Sequence, residues 1–258
     1  MNSQITLPLM ETIKRSFLYV IKNAKDICKI CSVFISLWIL NIICGQPMLC
    51  NATDKECLTK LLPFSFALLL YLSCVIITVN LIRKIVLKQS YKWFHLYLGK
   101  CHFRYIVYNI IIALMVIIPS ALILMIVKTT EAQNLSSLTV AFLGTAFIST
   151  LVGLSIFCCR LYLIYGGAAV NDTEMTLAKS YMLTEGNMLK ICIGQIILTL
   201  PTVILTYLAS SLYFAFPPTL ITQNLFSLCL IFCYFFEASI KGAYYGHLYQ
   251  YFTYMHKQ

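Results

Sequence analysis

Residues 61–82 read LLPFSFALLLYLSCVIITVNLI, twenty-two positions without a charged side chain. As an α-helix this stretch is about 33 Å long at ~1.5 Å per residue, enough to cross a hydrocarbon layer of about 30 Å. Arg83 and Lys84 follow it at once, and Lys60 precedes it. Working outward, five more segments are apolar over similar lengths. The expected spans are Ile27–Gly45, Leu61–Ile82, Tyr105–Val127, Leu138–Arg160, Met188–Leu212 and Thr219–Gly246. In the first, Lys29 has to reach back to the interface. The expectation is an all-α, polytopic membrane helix bundle of six transmembrane helices, a single domain over residues 1–258, with polar arms at 1–26, 83–104 and 161–187.

Composition excludes the soluble alternative. Hydrophobic residues make up 60% of the chain, charged residues 11%, and the mean hydropathy is +0.84. Soluble domains run about 45–50% apolar and about 25% charged, so a water-soluble fold would expose far too much apolar surface. The net charge of +10 does not point to nucleic acid, because the basic residues cluster at the ends of the apolar segments and match no basic recognition module. A cleavable leader is not expected: Glu11 and Asp26 stand among the N-terminal lysines, and no small-x-small site follows the first apolar run.

Orientation follows from the cationic residues, which concentrate on the cytoplasmic side of membrane helices. The N-terminal arm holds Lys14, Arg15, Lys22, Lys25 and Lys29, and the second arm holds Arg83, Lys84, Lys88, Lys92, Lys100 and Arg104. Arg160, Lys179 and Lys190 flank the third arm, and Lys241 and Lys257 lie toward the C-terminus. Only Lys55, Lys60 and Lys128 fall on the alternate side. Both termini are therefore expected in the cytoplasm, with the protein in the cell (inner) membrane. Residues Leu7–Asp26 set Leu9, Ile13, Phe17, Val20 and Ile21 near one helical face, and Lys84–Arg104 mixes Tyr91, Trp93, Phe94 and Tyr97 with basic side chains. Such segments lie in the headgroup layer, where anionic lipid is the expected partner.

An internal repeat is also legible. Pro119 and Pro201 are 82 positions apart, in Ile118-Pro119-Ser120 and Leu200-Pro201-Thr202. A shift of 164 aligns Arg15-Ser16-Phe17 with Lys179-Ser180-Tyr181 and Asn23 with Asn187, and the same period carries Leu61–Ile82 onto Leu143–Ile164 and Leu225–Gly246. Three units of interfacial arm plus helical hairpin are expected, all in the same orientation.

The stretch Met175–Met188, MTLAKSYMLTEGNM, contains a basic residue, Ser, variable positions, Leu-Thr, two residues and Asn, as Lys179, Ser180, Leu183, Thr184 and Asn187. It resembles the segment before the fifth helix of YciC-like bacterial inner-membrane proteins and, more loosely, the membrane domain attached to some glycerophosphodiester phosphodiesterases. The arm, the proline in the third span and the chain length fit as well. The resemblance implies a six-helix inner-membrane fold and no particular activity.

Residues that could carry chemistry are few, and no catalytic, cofactor-binding or metal-binding residue is assigned. Glu237 and Lys241, four apart in the last span, have the favourable order for a helical ion pair, and a transport or proton-relay role is the alternative. Asn80 and Gln195 are further polar residues within spans, while Pro119 and Pro201 should kink their helices. Ala141, Thr145, Ser149 and Gly153 form one small-residue stripe and Ala238, Gly242 and Gly246 another, read as bundle seams or a dimer face. Of the twelve cysteines, Cys74, Cys158, Cys159, Cys192, Cys229 and Cys233 read as small hydrophobes. Cys28 and Cys31 make a lone CxxC, and Cys50 and Cys57 share an external loop where a disulfide could form. His95, Cys101 and His102 have no metal-site spacing, Asp172 and Glu174 read as solvated, and the sequons at Asn51 and Asn134 are discounted.

No nucleophile elbow, phosphate loop or zinc-protease motif is present, so an enzyme is not expected. Two readings remain: a non-enzymatic membrane component that organises lipids or partner proteins, itself included as a homo-oligomer, or a small transporter or channel with a site between the hairpins. A polar cavity faced by Glu237, Asn80 or Gln195 would favour the second; a bundle sealed by apolar packing would favour the first.

Overall fold

A computed structural model describes residues 6–43, 58–90, 98–131, 137–216 and 219–255. These form nine helices and no strand: α1 (Leu9–Lys22), α2 (Ala24–Ile43), α3 (Leu58–Leu87), α4 (Lys100–Glu131), α5 (Ser137–Cys159), α6 (Leu163–Val170), α7 (Leu177–Leu183), α8 (Met188–Ala215) and α9 (Leu220–Met255). Among the described residues, four helical stretches are long and apolar enough to cross a membrane: Leu68–Leu87, Lys100–Met125, Met188–Ala215 and Asn224–Tyr254. The pair Gly144–Cys159 and Leu163–Val170, bent by 41°, makes a fifth if taken as one broken span. α2 covers the first expected span as helix, with several of its side chains outside the described residues.

α3 and α9 form the centre. On α3, Ile77, Val79, Leu81 and Ile82 are all fully buried, so this stretch of the helix is enclosed on every side, while Leu68, Leu69 and Leu87 nearer its ends are exposed. Lipid tails are as apolar as leucine, so burial alone does not hold such helices together; close packing and interhelical hydrogen bonds do. The stripe Ala238, Gly242, Gly246 supplies that closeness. A Cβ on Gly242 would lie 3.0 Å from the Thr78 carbonyl oxygen and 3.1 Å from Leu81 Cβ, so only glycine admits α3 at this distance. The Thr78 hydroxyl donates to the Ala238 carbonyl across the seam at 3.2 Å, a bond of about 0.6 kcal/mol in a membrane interior. The stripe is thus a seam of the bundle. The stripe on α5 is different: Thr145, Ser149 and Gly153 are exposed, and the side chain of Ala141 is not described.

Helices α3, α6 and α9 touch one another, and each hairpin also meets the next, α3 against α4, α5 against α8 and α9 against α2. α4 is the most peripheral span, with Ile110, Ile117, Ile118, Leu122 and Met125 at least half exposed. A contiguous apolar face of that kind belongs against lipid.

The third arm departs from expectation. Residues 161–187 contain a core element: in α6, Leu163, Ile164, Ala168 and Ala169 have no exposure at all. The helix axis breaks at Arg160–Tyr162, where the backbone hydrogen bonds shorten to the i→i+3 pattern, and α6 then turns beneath the bundle. The apolar run Leu161–Val170 was hidden by the arginine before it, which marked a span end by the charge rule. Two helices run beyond the expected spans. α3 continues past Arg83 to Leu87, and α9 continues past Gly246 to Met255.

The basic ends of the helices gather at one end of the bundle. Leu7 donates its N–H to Asn187 Oδ1 at 2.7 Å, fastening the N-terminus to the start of α8. The Tyr251 hydroxyl donates to the Thr6 carbonyl at 2.8 Å. Arg83 donates to the Ala169 carbonyl at 3.0 Å, answering the open C-terminal end of α6. Lys84 reaches both Asn23 and Asp26 at the α1–α2 junction.

Candidate functional site

A cavity of about 560 Å³ lies between α3, α4, the α5–α6 break and α9. Glu237 and Lys241 line it and pair with each other at 2.5 Å, their side chains 21% and 33% exposed. Glu237 stands near the middle of α9 (Leu220–Met255), beside Ala238, whose carbonyl accepts from Thr78 of α3. At ~1.5 Å per residue Thr78 lies about 8 Å along α3 from Arg83, so the pair is on the basic-end side of the bundle. An ion pair at this depth is costly to desolvate unless a polar cavity or further hydrogen bonds accompany it.

The opposite wall is aromatic. Tyr105 from α4, Tyr162 and Tyr165 from the break and α6, and Tyr245 from α9 form a chain of rings with centroids 4.8 to 5.7 Å apart. The break in the fourth span creates this wall, because it swings Tyr162 and Tyr165 together against Tyr245. Asn109 bridges two lining phenols: its Nδ2 donates to the Tyr71 hydroxyl at 2.8 Å, and the Tyr165 hydroxyl donates to its Oδ1 at 3.1 Å. Gln195 stands behind the wall on α8, donating from Nε2 to the Tyr245 hydroxyl, and does not line the cavity itself. Cys74 lines the cavity on α3.

Other candidates fall elsewhere. Asn80 is 2% exposed and not on the lining, and its Nδ2 has no hydrogen-bond partner among the described residues. Pro119 and Pro201 sit inside α4 and α8, away from the lining. Beside them Ser120 donates to the Val116 carbonyl at 2.6 Å and Thr202 to the Thr199 carbonyl at 2.7 Å. Cys31, Cys158, Cys159 and Cys233 are buried and Cys28 is exposed. Among the described residues no group of three or more His, Cys, Asp or Glu side chains converges as metal ligands would. His102 is fully buried at the start of α4, where its Nδ1 accepts from the Gly99 N–H at 3.2 Å. Cys50, Cys57, both sequons, His95 and the aromatic run Tyr91–Tyr97 lie outside the described residues.

The motif Lys179–Asn187 has a structural role that the sequence did not disclose. Ser180 donates its hydroxyl to the Arg160 carbonyl at 2.9 Å where α5 ends, and the Thr184 hydroxyl lies 3.1 Å from the same oxygen and 2.9 Å from the Ser180 carbonyl. Arg160 in turn donates to the Tyr181 carbonyl at 2.7 Å and lies over the Tyr181 ring. Asp172 was expected to be solvated. Instead the Tyr249 hydroxyl donates to it at 2.6 Å, tying the turn after α6 to α9. Burial works to raise its carboxyl pKa, but the bonds from Tyr249 and from the Glu174 and Met175 N–H groups, with Lys179 nearby, outweigh this and lower it.

A second groove, of about 540 Å³, runs along the first turns of α4, where Lys100 and Arg104 stand beside the exposed Phe103 and Val107. No protein-family model, curated protein or solved structure matches the chain.

Proposed function

We propose that this chain is a non-enzymatic, six-span integral membrane protein that holds a small polar molecule between its hairpins and carries it across the bilayer. The observation that carries this reading is the Glu237–Lys241 pair facing a cavity of about 560 Å³ at the middle of α9. The volume falls within the range of small-molecule sites, about 300–1,000 Å³. A bundle serving only as a scaffold would gain more from apolar packing at this point, since well-packed apolar residues match or exceed a buried ion pair in stability. The carboxylate and ammonium are held by each other, which suits binding better than proton transfer.

Three units of arm and hairpin fit this reading. The second helices α3, α6 and α9 meet at the centre, each passing to the next hairpin in turn, and the 82-residue period relates them. Membrane carriers place their sites at such repeat interfaces. The gathering of Arg83, Lys84, Arg104 and Arg160 at one end supports an orientation with both termini in the cytoplasm, in the cell membrane. The resemblance to YciC-like proteins goes with the six-span part of this reading and bears on no activity.

Reconstitution tests it. Proteoliposomes are loaded with a pool of small polar metabolites, and the exchange of each is followed by mass spectrometry. The wild-type chain should pass at least one solute, and Asn109→Trp, which projects bulk into the cavity, should block it. Equal leakage from empty and protein-bearing vesicles would rule out carriage.

The lipid-organising role is the second reading, favoured by the groove at Lys100 and Arg104. Its cationic floor and apolar rim fit an anionic headgroup with its acyl chain. Lys100→Gln with Arg104→Gln should reduce copurifying anionic lipid, measured by lipid mass spectrometry of the purified protein.

A further inference from the structure

We propose, building on the cavity reading above, that the occupant is a zwitterion, a molecule with an ammonium-type cation and an acidic group and no net charge. It can come as a free solute or as the headgroup of a zwitterionic lipid.

Charge balance makes the selection. Glu237 and Lys241 compensate each other's charge. A simple cation drawn to Glu237 would leave Lys241 without its counter-charge, and a simple anion drawn to Lys241 would strand Glu237. A stranded charge in a low-dielectric interior is strongly unfavourable. A zwitterion avoids both penalties: its cation meets Glu237, its acid meets Lys241, and four charges alternate with none left over.

The lining matches both poles. The rings of Tyr105, Tyr162, Tyr165 and Tyr245 offer a π-rich wall, which attracts cations and especially alkylated ammonium groups with few N–H donors. For the acid, one phenol is set as a donor. The Tyr71 hydroxyl accepts from Asn109, so it keeps its own O–H proton to give to an acid oxygen, whereas the Tyr245 hydroxyl is turned to Gln195 behind the wall.

The test uses the full chain in nanodiscs of phosphatidylglycerol, which hold no zwitterionic lipid. Thermal stabilisation is titrated with glycine betaine, tetramethylammonium, acetate, glycerol and a short-chain phosphatidylcholine. Glycine betaine or the phosphatidylcholine should half-saturate at least about tenfold below tetramethylammonium and acetate. Betaine binding identifies a free solute, and binding of the phosphatidylcholine alone identifies a headgroup; both support the zwitterion. Glu237→Gln should turn the preference toward acetate and Lys241→Gln toward tetramethylammonium. The double variant, which strands no charge and should fold, should lose the discrimination against glycerol. If glycerol matches betaine on the wild-type chain, or neither single variant turns the preference, the zwitterion is wrong and the cavity reading survives. If nothing stabilises the wild-type chain and nothing exchanges in proteoliposomes, the cavity reading falls with it.

Discussion

Asp26 sits where α1 meets α2, and it accepts hydrogen bonds from Lys29 at 2.8 Å and from Lys84. Those two bonds, from Lys29 first and then Lys84, hold its carboxyl at about 2, with burial opposing them and the two ammonium charges assisting. A folded-state value below the unfolded one means that the interaction stabilises fully above the unfolded pKa and is lost as pH falls through the folded one. The melting temperature of Asp26→Asn should therefore lie below that of the wild type by a constant margin from about pH 5 to 8, and the margin should close between about pH 4 and 2. A margin that widens toward acid would contradict the pairing. Sequence reading noticed each of these residues but not their union, since Lys84 is 58 positions from Asp26. Glu237 and Lys241 were legible as a pair because a helix puts i and i+4 side by side. That they face a cavity was not.

The most informative element is the broken fourth span. Its α6 half reads as connector in the sequence because Arg160 precedes it, yet α6 is buried and the Arg160 carbonyl is left open by the break. Ser180 of α7 closes it, and Thr184, the residue after α7, offers a second hydroxyl within reach. Ser180→Ala combined with Thr184→Ala removes both donors and should cost about 1–3 kcal/mol, the penalty of an unsatisfied buried carbonyl, in a reversible detergent-unfolding titration. Lys179→Ala breaks an ion pair whose side chains are 44% and 83% exposed, and should change stability by well under about 1 kcal/mol. Equal effects would remove the distinction between a bond at the break and a surface contact. The helical lengths were largely legible from apolar runs of twenty or more residues. Their ends were not, because cationic side chains on long stems tolerate a helix that continues beyond the interface.

For the molecule as a whole, the helix ends bearing Arg83, Arg104 and Arg160 share one end, and each arginine donates to a backbone carbonyl there. The arginines gathered at that end thus also hold its arms. Reporter fusions should place Gly99 and the C-terminus in the cytoplasm and residue 133 outside. A fusion at Gly99 that reports the exterior would overturn the orientation and, with it, the reading of the basic groove as facing cytoplasmic anionic lipid.

The linear chain alone determined that the protein is helical and that several of its helices suit lipid, because these properties depend on neighbours within one turn or on summed apolar length. The tertiary structure alone decided that α5 and α6 meet at a bend of 41°, that α6 belongs to the core, that the α9 stripe is the seam, and that the four wall tyrosines share a cavity lining with an ion pair. Those outcomes rest on contacts between residues as far apart in the chain as Tyr71, Tyr165 and Glu237. Such contacts arise only when whole helices pack against one another, and no local pattern of residues encodes them.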